Sequence, residues 1–259
     1  RTASTAAGLM IGLALIAMAT VVATSLKESF RSEMGSTVIS DFLVTADDQA
    51  QFSNPLAAEV DALPEFDEVS AVRYGNARVD GSEKQFAATD LTLLTDLLDV
   101  DIVSGDPVAV ADATHLLIHE DVASDRGLGV GDSLAVEFAE TGPRVLTIGA
   151  IFANEFLIGD YILDLSGWDE NFSSVDDSVI SARLASGVET EAGDAALAPL
   201  EAAYPQLNFE TNQEFQDRQE AQLDSFLVVI NVFLGLAIVI ALLGITNTMA
   251  LSVLERTRE

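Results

Sequence analysis

The chain has no cysteine, which excludes disulfide frameworks, cysteine-ligated zinc and thiol nucleophiles. Basic residues are scarce. Lysine is confined to Lys27 and Lys84, and lysine and arginine together number 12 against 42 aspartates and glutamates. The resulting formal net charge of −30 repels nucleic acid and anionic lipid surfaces, so nucleic-acid binding is excluded. A lysine-poor, aspartate-rich balance is shared by proteins of high-salt environments and by those of arginine-preferring genomes. Signatures of catalysis are missing too. There is no Gly-x-Ser-x-Gly elbow and no Gly-x-x-x-x-Gly-Lys-Ser/Thr phosphate loop, so neither that hydrolase chemistry nor that route to ATP hydrolysis is open.

Charge is also absent from two long stretches, and these organise the chain. Residues 225–254 carry none, are dominated by Leu, Ile, Val, Ala and Phe, and end in the cluster Glu255-Arg256-Thr257-Arg258-Glu259. A hydrocarbon core needs about 20 apolar residues in helical form, and a soluble helix of this length would show a polar face. Residues 2–26 form the second such stretch, with Arg1 before it and Lys27-Glu28 after it. A cleaved signal peptide competes for this N-terminal run, but the run is long for one and the chain does not start with Met. The expectation is therefore two membrane spans within a piece of a longer protein. Cytoplasmic flanks carry the excess of Arg and Lys. Arg1, Arg256 and Arg258 place both outer ends in the cytoplasm and residues 27–224 outside it, although Lys27 and Arg31 argue the other way. Inside the spans, Gly8-x-x-x-Gly12 and Gly244 would let another helix approach closely. Asn231, Thr246, Asn247 and Thr248 are costly against lipid and should face other helices. Lining a substrate path is the alternative role for these polar residues.

Between the spans the pattern reads as mixed α and β. Val38–Ala46 and Val69–Val79 are strands, and Asn54-Pro55 opens a helix with the stripe Leu56, Val60, Leu63. Asp80-Gly81 is a hairpin signal before the strand Gln85–Thr89. Asp90 caps a helix carrying Leu91, Leu94, Leu97 and Leu98. The texture changes near Gly105-Asp106-Pro107, where short strands follow: Leu116–His119, Leu134–Phe138, Arg144–Phe152 and Tyr161–Leu165. A βαβ pattern returns with the strand Ser178–Leu184, the helix Glu191–Ala203 and the strand Leu207–Glu210. Thr211 with Glu214 forms a capping box that opens a helix running into the second span. The expected organisation is an α+β ectodomain between two transmembrane helices. Residues 1–35 are the first span and stalk, and 36–104 with 176–212 a discontinuous α/β subdomain. Residues 105–175 are an inserted β-rich subdomain, and 213–259 the stalk, second span and start of a cytoplasmic segment.

Candidate chemistry in the ectodomain is thin. His115-x-x-x-His119 has the spacing of a helical zinc pair, but Leu116-Leu117-Ile118 reads as strand and no Glu follows His115. Asp96, Asp99, Asp101 and Asp106 lack the Gly and Glu positions of a calcium loop, and a chain this acidic makes such clusters by chance. No metal, cofactor or catalytic residue is expected.

The run from Asn247 to Glu259, Asn-Thr-Met-Ala-Leu-Ser-Val-Leu-Glu-Arg-Thr-Arg-Glu, resembles the signature with which FtsX-like permeases of the MacB type leave their second membrane helix. The order of span, acidic ectodomain and span agrees with that family. The resemblance implies a porter-like periplasmic core with a β-rich insert, and a non-catalytic permease subunit of a type VII ABC transporter. It also implies a separate ATPase partner, a second permease copy or homologous half, surrounding lipid and an extracytoplasmic partner protein. Glu255, Arg256, Thr257, Arg258 and Glu259 would then face the ATPase, which moves the ectodomain to extrude peptides or antibiotics, lift lipoproteins or activate cell-wall hydrolases. A bitopic sensor or binding protein with an acidic ectodomain is the alternative, though it leaves the Glu-Arg-Thr-Arg-Glu exit unexplained. A membrane-tethered hydrolase would need a convergent cleft that the sequence does not offer.

Overall fold

A computed structural model describes residues 10, 14, 17–29, 37–46, 50–52, 55–154 and 158–256. The chain divides into two compact units, Arg1–Ser32 with Gln216–Glu259, and Glu33–Phe215. In the larger unit, strand β1 (Phe42–Ala46) leads to helix α1 (Pro55–Asp61), the long strand β2 (Phe66–Val79) and strand β3 (Ser82–Thr89). A short helix α2 (Leu94–Leu97), strand β4 (Ile102–Gly105) and strand β5 (His115–His119) follow, then helix α3 (Glu120–Arg126). Strands β6 (Ser133–Phe138), β7 (Gly142–Phe152) and β8 (Tyr161–Asp164) lead to helix α4 (Leu165–Asn171). The unit closes with β9 (Val179–Leu184), helix α5 (Thr190–Ala203) and β10 (Leu207–Thr211), and α6 (Asn212–Arg256) begins there.

The strands join in one ten-stranded path, β10-β1-β9-β2-β3-β8-β5-β7-β4, with β6 bridging β2 and β7. The β3–β8 and β5–β7 pairings are parallel and the rest antiparallel. Strand β2 changes partner along its length: Phe66–Val72 lies beside β9, whereas Arg73–Val79 lies beside β3.

Among the described residues, two hydrophobic cores flank that change, while Ala71, Val72, Ala87, Leu117 and Ile162 are buried outside both. The first gathers Phe42, Val44, Leu56, Val60, Phe66, Ile180, Leu197 and Leu207 from β1, α1, the start of β2, β9, α5 and β10. Leu56 and Val60 are a turn apart on α1, as the stripe predicts, and both are buried. Gly193 lets α5 lie close on the sheet, because a Cβ there would come within 2.7 Å of Leu184 and 2.9 Å of Phe42. The second core gathers Ala77, Val79, Phe86 and Ala88 with Leu116, Ile118, Val136, Phe138, Ile148, Tyr161, Leu163 and Trp168. Phe86 stacks on Tyr161 at 4.7 Å between centroids, and Trp168 stacks on Phe172 at 3.8 Å.

The elements of the first core make one lobe, which β2 leaves near Val72, and those of the second core make another. The hairpin β2–β3 gives its buried side chains to the second core, which a texture change near Gly105 does not register. Helices α3 and α4 lie within residues 105–175. Residues 91–100 return to the first lobe instead. Ile39 and Ser40 donate backbone bonds to Leu97 O, and Asp99 donates one to Thr37 O. Leu91, Leu94, Leu97 and Leu98 are all buried, although the helix itself covers only Leu94–Leu97.

Candidate functional site: the membrane-exit helix and the interlobe ion pair

Helix α6 starts on the expected capping box. The Thr211 amide and hydroxyl both donate to Glu214 Oε2, at 2.9 and 2.8 Å, and the Glu214 amide donates back to Thr211 Oγ1 at 3.2 Å. Asn212 adds a second anchor, its Nδ2 donating to Val38 O and Ser40 O. No proline interrupts the helix from there to Arg256, so no kink has a covalent cause. Its Asn212–Gly244 portion is long and apolar enough to cross a membrane, the one such helix among the described residues. The N-terminal stretch is helical over 17–29.

Within the smaller unit these two helices meet at Lys27. Its Nζ lies 2.8 Å from Asp224 Oδ2 and 3.5 Å from Glu220 Oε2. Glu220 and Asp224 are one turn apart on α6, so one ammonium spans both. Lys27, which confuses the topology argument by its charge, is thus occupied by a helix pair.

The other expected site residues divide by what is described. Gly8, Gly12, Thr257, Arg258 and Glu259 lie outside the described residues. Asn231, Asn247, Thr248, Glu255 and Arg256 are described by their helical backbone in α6 alone. A methyl group added at Gly244 would meet nothing within 4 Å. Thr246 needs no partner helix for its hydroxyl, which donates to Leu242 O at 2.8 Å in its own helix. That bond removes the polar cost that pointed Thr246 at a neighbour.

In the larger unit, His115 and His119 lie on β5, as the strand reading requires, and each is engaged locally. His115 Nδ1 and Asp112 Oδ1 are 2.8 Å apart. Burial would raise the Asp112 pKa, but hydrogen bonds from His115 and Thr114 outweigh it and bring it down to about 2. His119 caps α3: its Nδ1 accepts the Asp121 amide and its Nε2 lies 3.0 Å from Ala153 O. Asp99 and Asp106 turn their carboxylates back on the chain, accepting the amides of Asp101 and of Val108 and Ala109. These are turn-forming aspartates. Among the described residues no group of three metal-ligating side chains converges.

Sequence reasoning missed one buried ionic cluster. Arg73 sits where β2 changes partner and is buried. Its Nε donates to Asp177 Oδ1 at 2.8 Å and its Nη1 to Asp169 Oδ1 at 2.7 Å. Asp177 is fully buried, and its Oδ2 has no hydrogen-bond partner among the described residues. Burial raises its pKa above the usual carboxylate range, against the pull of Arg73. An arginine inside the strand Val69–Val79 is the sequence signal for the cluster, and nothing local names its partners.

Residues 2–200 match the model of a family described as the MacB-like periplasmic core domain. No curated protein matches the chain. Among solved structures, the periplasmic region of MacB from Actinobacillus actinomycetemcomitans is similar, with a TM-score of 0.53 and 9% identity over 72% of this chain and 95% of that one. A domain of a permease protein from Porphyromonas gingivalis aligns with a TM-score of 0.46 and 19% identity, covering 69% and 90% of the two chains. The extracellular domain of the transporter YknZ from Gram-positive bacteria aligns with a TM-score of 0.46 and 14% identity, covering 67% and 99%.

Proposed function

The chain belongs to the family of MacB-like periplasmic core domains, and from that premise we propose that it is the permease subunit through which a partner ATPase moves an extracytoplasmic domain. Family membership itself carries the transporter-permease role, and the family match over residues 2–200 is the observation on which the reading rests. Coupling is the further step. It is supported by the Glu255–Glu259 exit sequence and by a helix unbroken from Asn212 to Arg256, along which a displacement travels as a rigid tilt. The subunit itself performs no chemistry; hydrolysis belongs to the ATPase. A second permease copy or homologous half completes the pathway, and the extruded cargo is a peptide, an antibiotic or a lipoprotein.

The test separates coupling from simple anchoring, since an arginine near a span end also fixes a helix at the headgroups. Arg256→Lys and Arg256→Glu are made in the protein in its membrane, with the ATPase present. Coupling predicts that Arg256→Glu inserts at normal abundance while ATP hydrolysis no longer drives transport. Normal insertion together with wild-type transport by Arg256→Glu would make this residue an anchor and overturn the coupling assignment.

A further inference from the structure

The two cores share no residue, yet the chain passes between their lobes along β2, out to residues 91–100 and back, and again just before β9. The first and the last of these passages meet at Arg73. On the outward passage, the pairing of β2 ends with β9 at Val72–Val179 and begins with β3 at Arg73–Ala88. On the return, the Ser178 amide donates to Val72 O at 2.8 Å. Asp177 is pinned to the first lobe by reciprocal backbone bonds with Phe52, at 2.8 and 2.9 Å. The Arg73 guanidinium therefore holds a carboxylate tied to the first lobe with its Nε and a carboxylate of α4 in the second lobe with its Nη1.

We propose that Arg73 is the lock of an interlobe hinge, pivoting at Val72–Arg73 and Asp177–Ser178, and that its bonds to Asp177 and Asp169 select one angle between the lobes. Among the described residues the other links across the boundary are the Leu91 amide donating to Asp164 Oδ1 at 3.3 Å and a set of uncharged bonds. Ser70 Oγ and Thr89 Oγ1 are 2.9 Å apart, the Asp90 amide donates to Ser70 Oγ, and Asn154 Nδ2 donates to Thr37 Oγ1 at 2.7 Å. Hydrogen bonds to charged groups are stronger than neutral ones, so the arginine dominates the set. The closed arrangement also leaves a cost in place, because the buried Asp177 Oδ2 has no partner among the described residues. A boundary held by one strong, imperfectly satisfied ionic contact is suited to two discrete settings rather than to a fixed weld. Such a hinge lies wholly within the ectodomain and operates whether or not Arg256 couples to an ATPase.

The absence of cysteine makes the test direct. Spin labels are placed on Ser186→Cys in the first lobe and Ala139→Cys in the second, both exposed positions, in the otherwise unaltered protein in lipid nanodiscs. Distances are then measured by pulsed electron resonance. The wild-type background should give one narrow distance distribution, and Arg73→Gln should broaden or split it while circular dichroism stays native. Asp177→Asn, which keeps the shape and removes the charge, serves as the second variant where Arg73→Gln does not fold, and it too should broaden the distribution. A distribution in Asp177→Asn that matches wild type overturns the proposal. So does a folded Arg73→Gln that melts earlier with its distance unchanged, since the arginine would then be a structural pair and no lock.

Discussion

A guanidinium buried between two carboxylates responds asymmetrically to substitution, and Arg73 shows why. Removing it strands the charge of Asp177 in a buried site, and breaking a buried pair in this way costs about 3–5 kcal/mol. Neutralising Asp177 instead removes a charge that burial already disfavours. The sign with pH follows from the raised pKa. A carboxyl that binds its proton more tightly folded than unfolded stabilises the fold in acid, and that contribution is lost as pH rises through the folded pKa. Arg73→Ala should therefore lower the melting temperature strongly at neutral pH and less in mild acid, where Asp177 takes up a proton. Asp177→Asn should melt no lower than wild type at neutral pH, with the difference shrinking as pH falls towards the raised pKa. Melting curves of the three proteins across that range decide it, and an Asp177→Asn deficit that is largest at neutral pH contradicts the sign. None of this is legible in the sequence, because Arg73, Asp169 and Asp177 are brought together only by the fold. Gly75 is hidden for the same reason: a Cβ there would lie 2.7 Å from Trp168, a neighbour far along the chain. Asp80-Gly81 is the opposite case. Its turn is written locally, and both residues adopt the positive φ, 52° and 75°, that a tight hairpin demands.

At the scale of elements, local rules carry well wherever periodicity or a cap determines the outcome. The helix after Pro55, the strands around residues 116–119, 134–138 and 144–152, and the helix ending before Tyr204-Pro205 all lie within a few residues of expectation. What escapes is short or paired at a distance. Strand β4 is held by its pairing with β7, and its residues are mostly exposed, so no alternation marks it. Helices α3 and α4 are seven residues each and rest on caps, His119 and Asp164, rather than on a long stripe. The parallel pairing of β3 with β8 joins residues 87–89 to 162–164, which no local pattern encodes. The capping box of α6 gives the cleanest element-level prediction. Thr211→Ala removes the hydroxyl that both donates to Glu214 and accepts its amide, and losing such a cap costs about 1 kcal/mol. Hydrogen exchange at the amides of Asn212, Gln213 and Glu214 should accelerate, with β1 and β9 unaffected. Unchanged exchange in this first turn would show that the anchoring of Asn212 to Val38 and Ser40 suffices alone.

For the whole molecule, the broad plan is legible and its seams are not. Two uncharged stretches enclose an acidic α+β region. Strand β2 serves both cores, and its unbroken strand pattern gives no sign of changing partners at residue 73. Orientation across the membrane is a question on this scale too, and it rests on few charges. Acidic residues contribute little to topology, so the −30 net charge does not decide it, and Arg1, Arg256 and Arg258 do. Lys27 and Arg31 would oppose them, but Lys27 is bonded to Asp224 and Glu220 on α6, and a neutralised lysine weighs less as a retention signal. The larger unit should thus lie outside the cytoplasm, in keeping with the periplasmic domain of its family. Ser186 is the position to ask. It is exposed between β9 and α5, its amide donates to Asp67 Oδ2 through a backbone group that substitution leaves in place, and the chain offers no other thiol. Ser186→Cys in intact cells should react with a membrane-impermeant maleimide as fully as it does after lysis. Labelling that appears only on lysis would put the ectodomain on the cytoplasmic side and invert the placement of every charged flank.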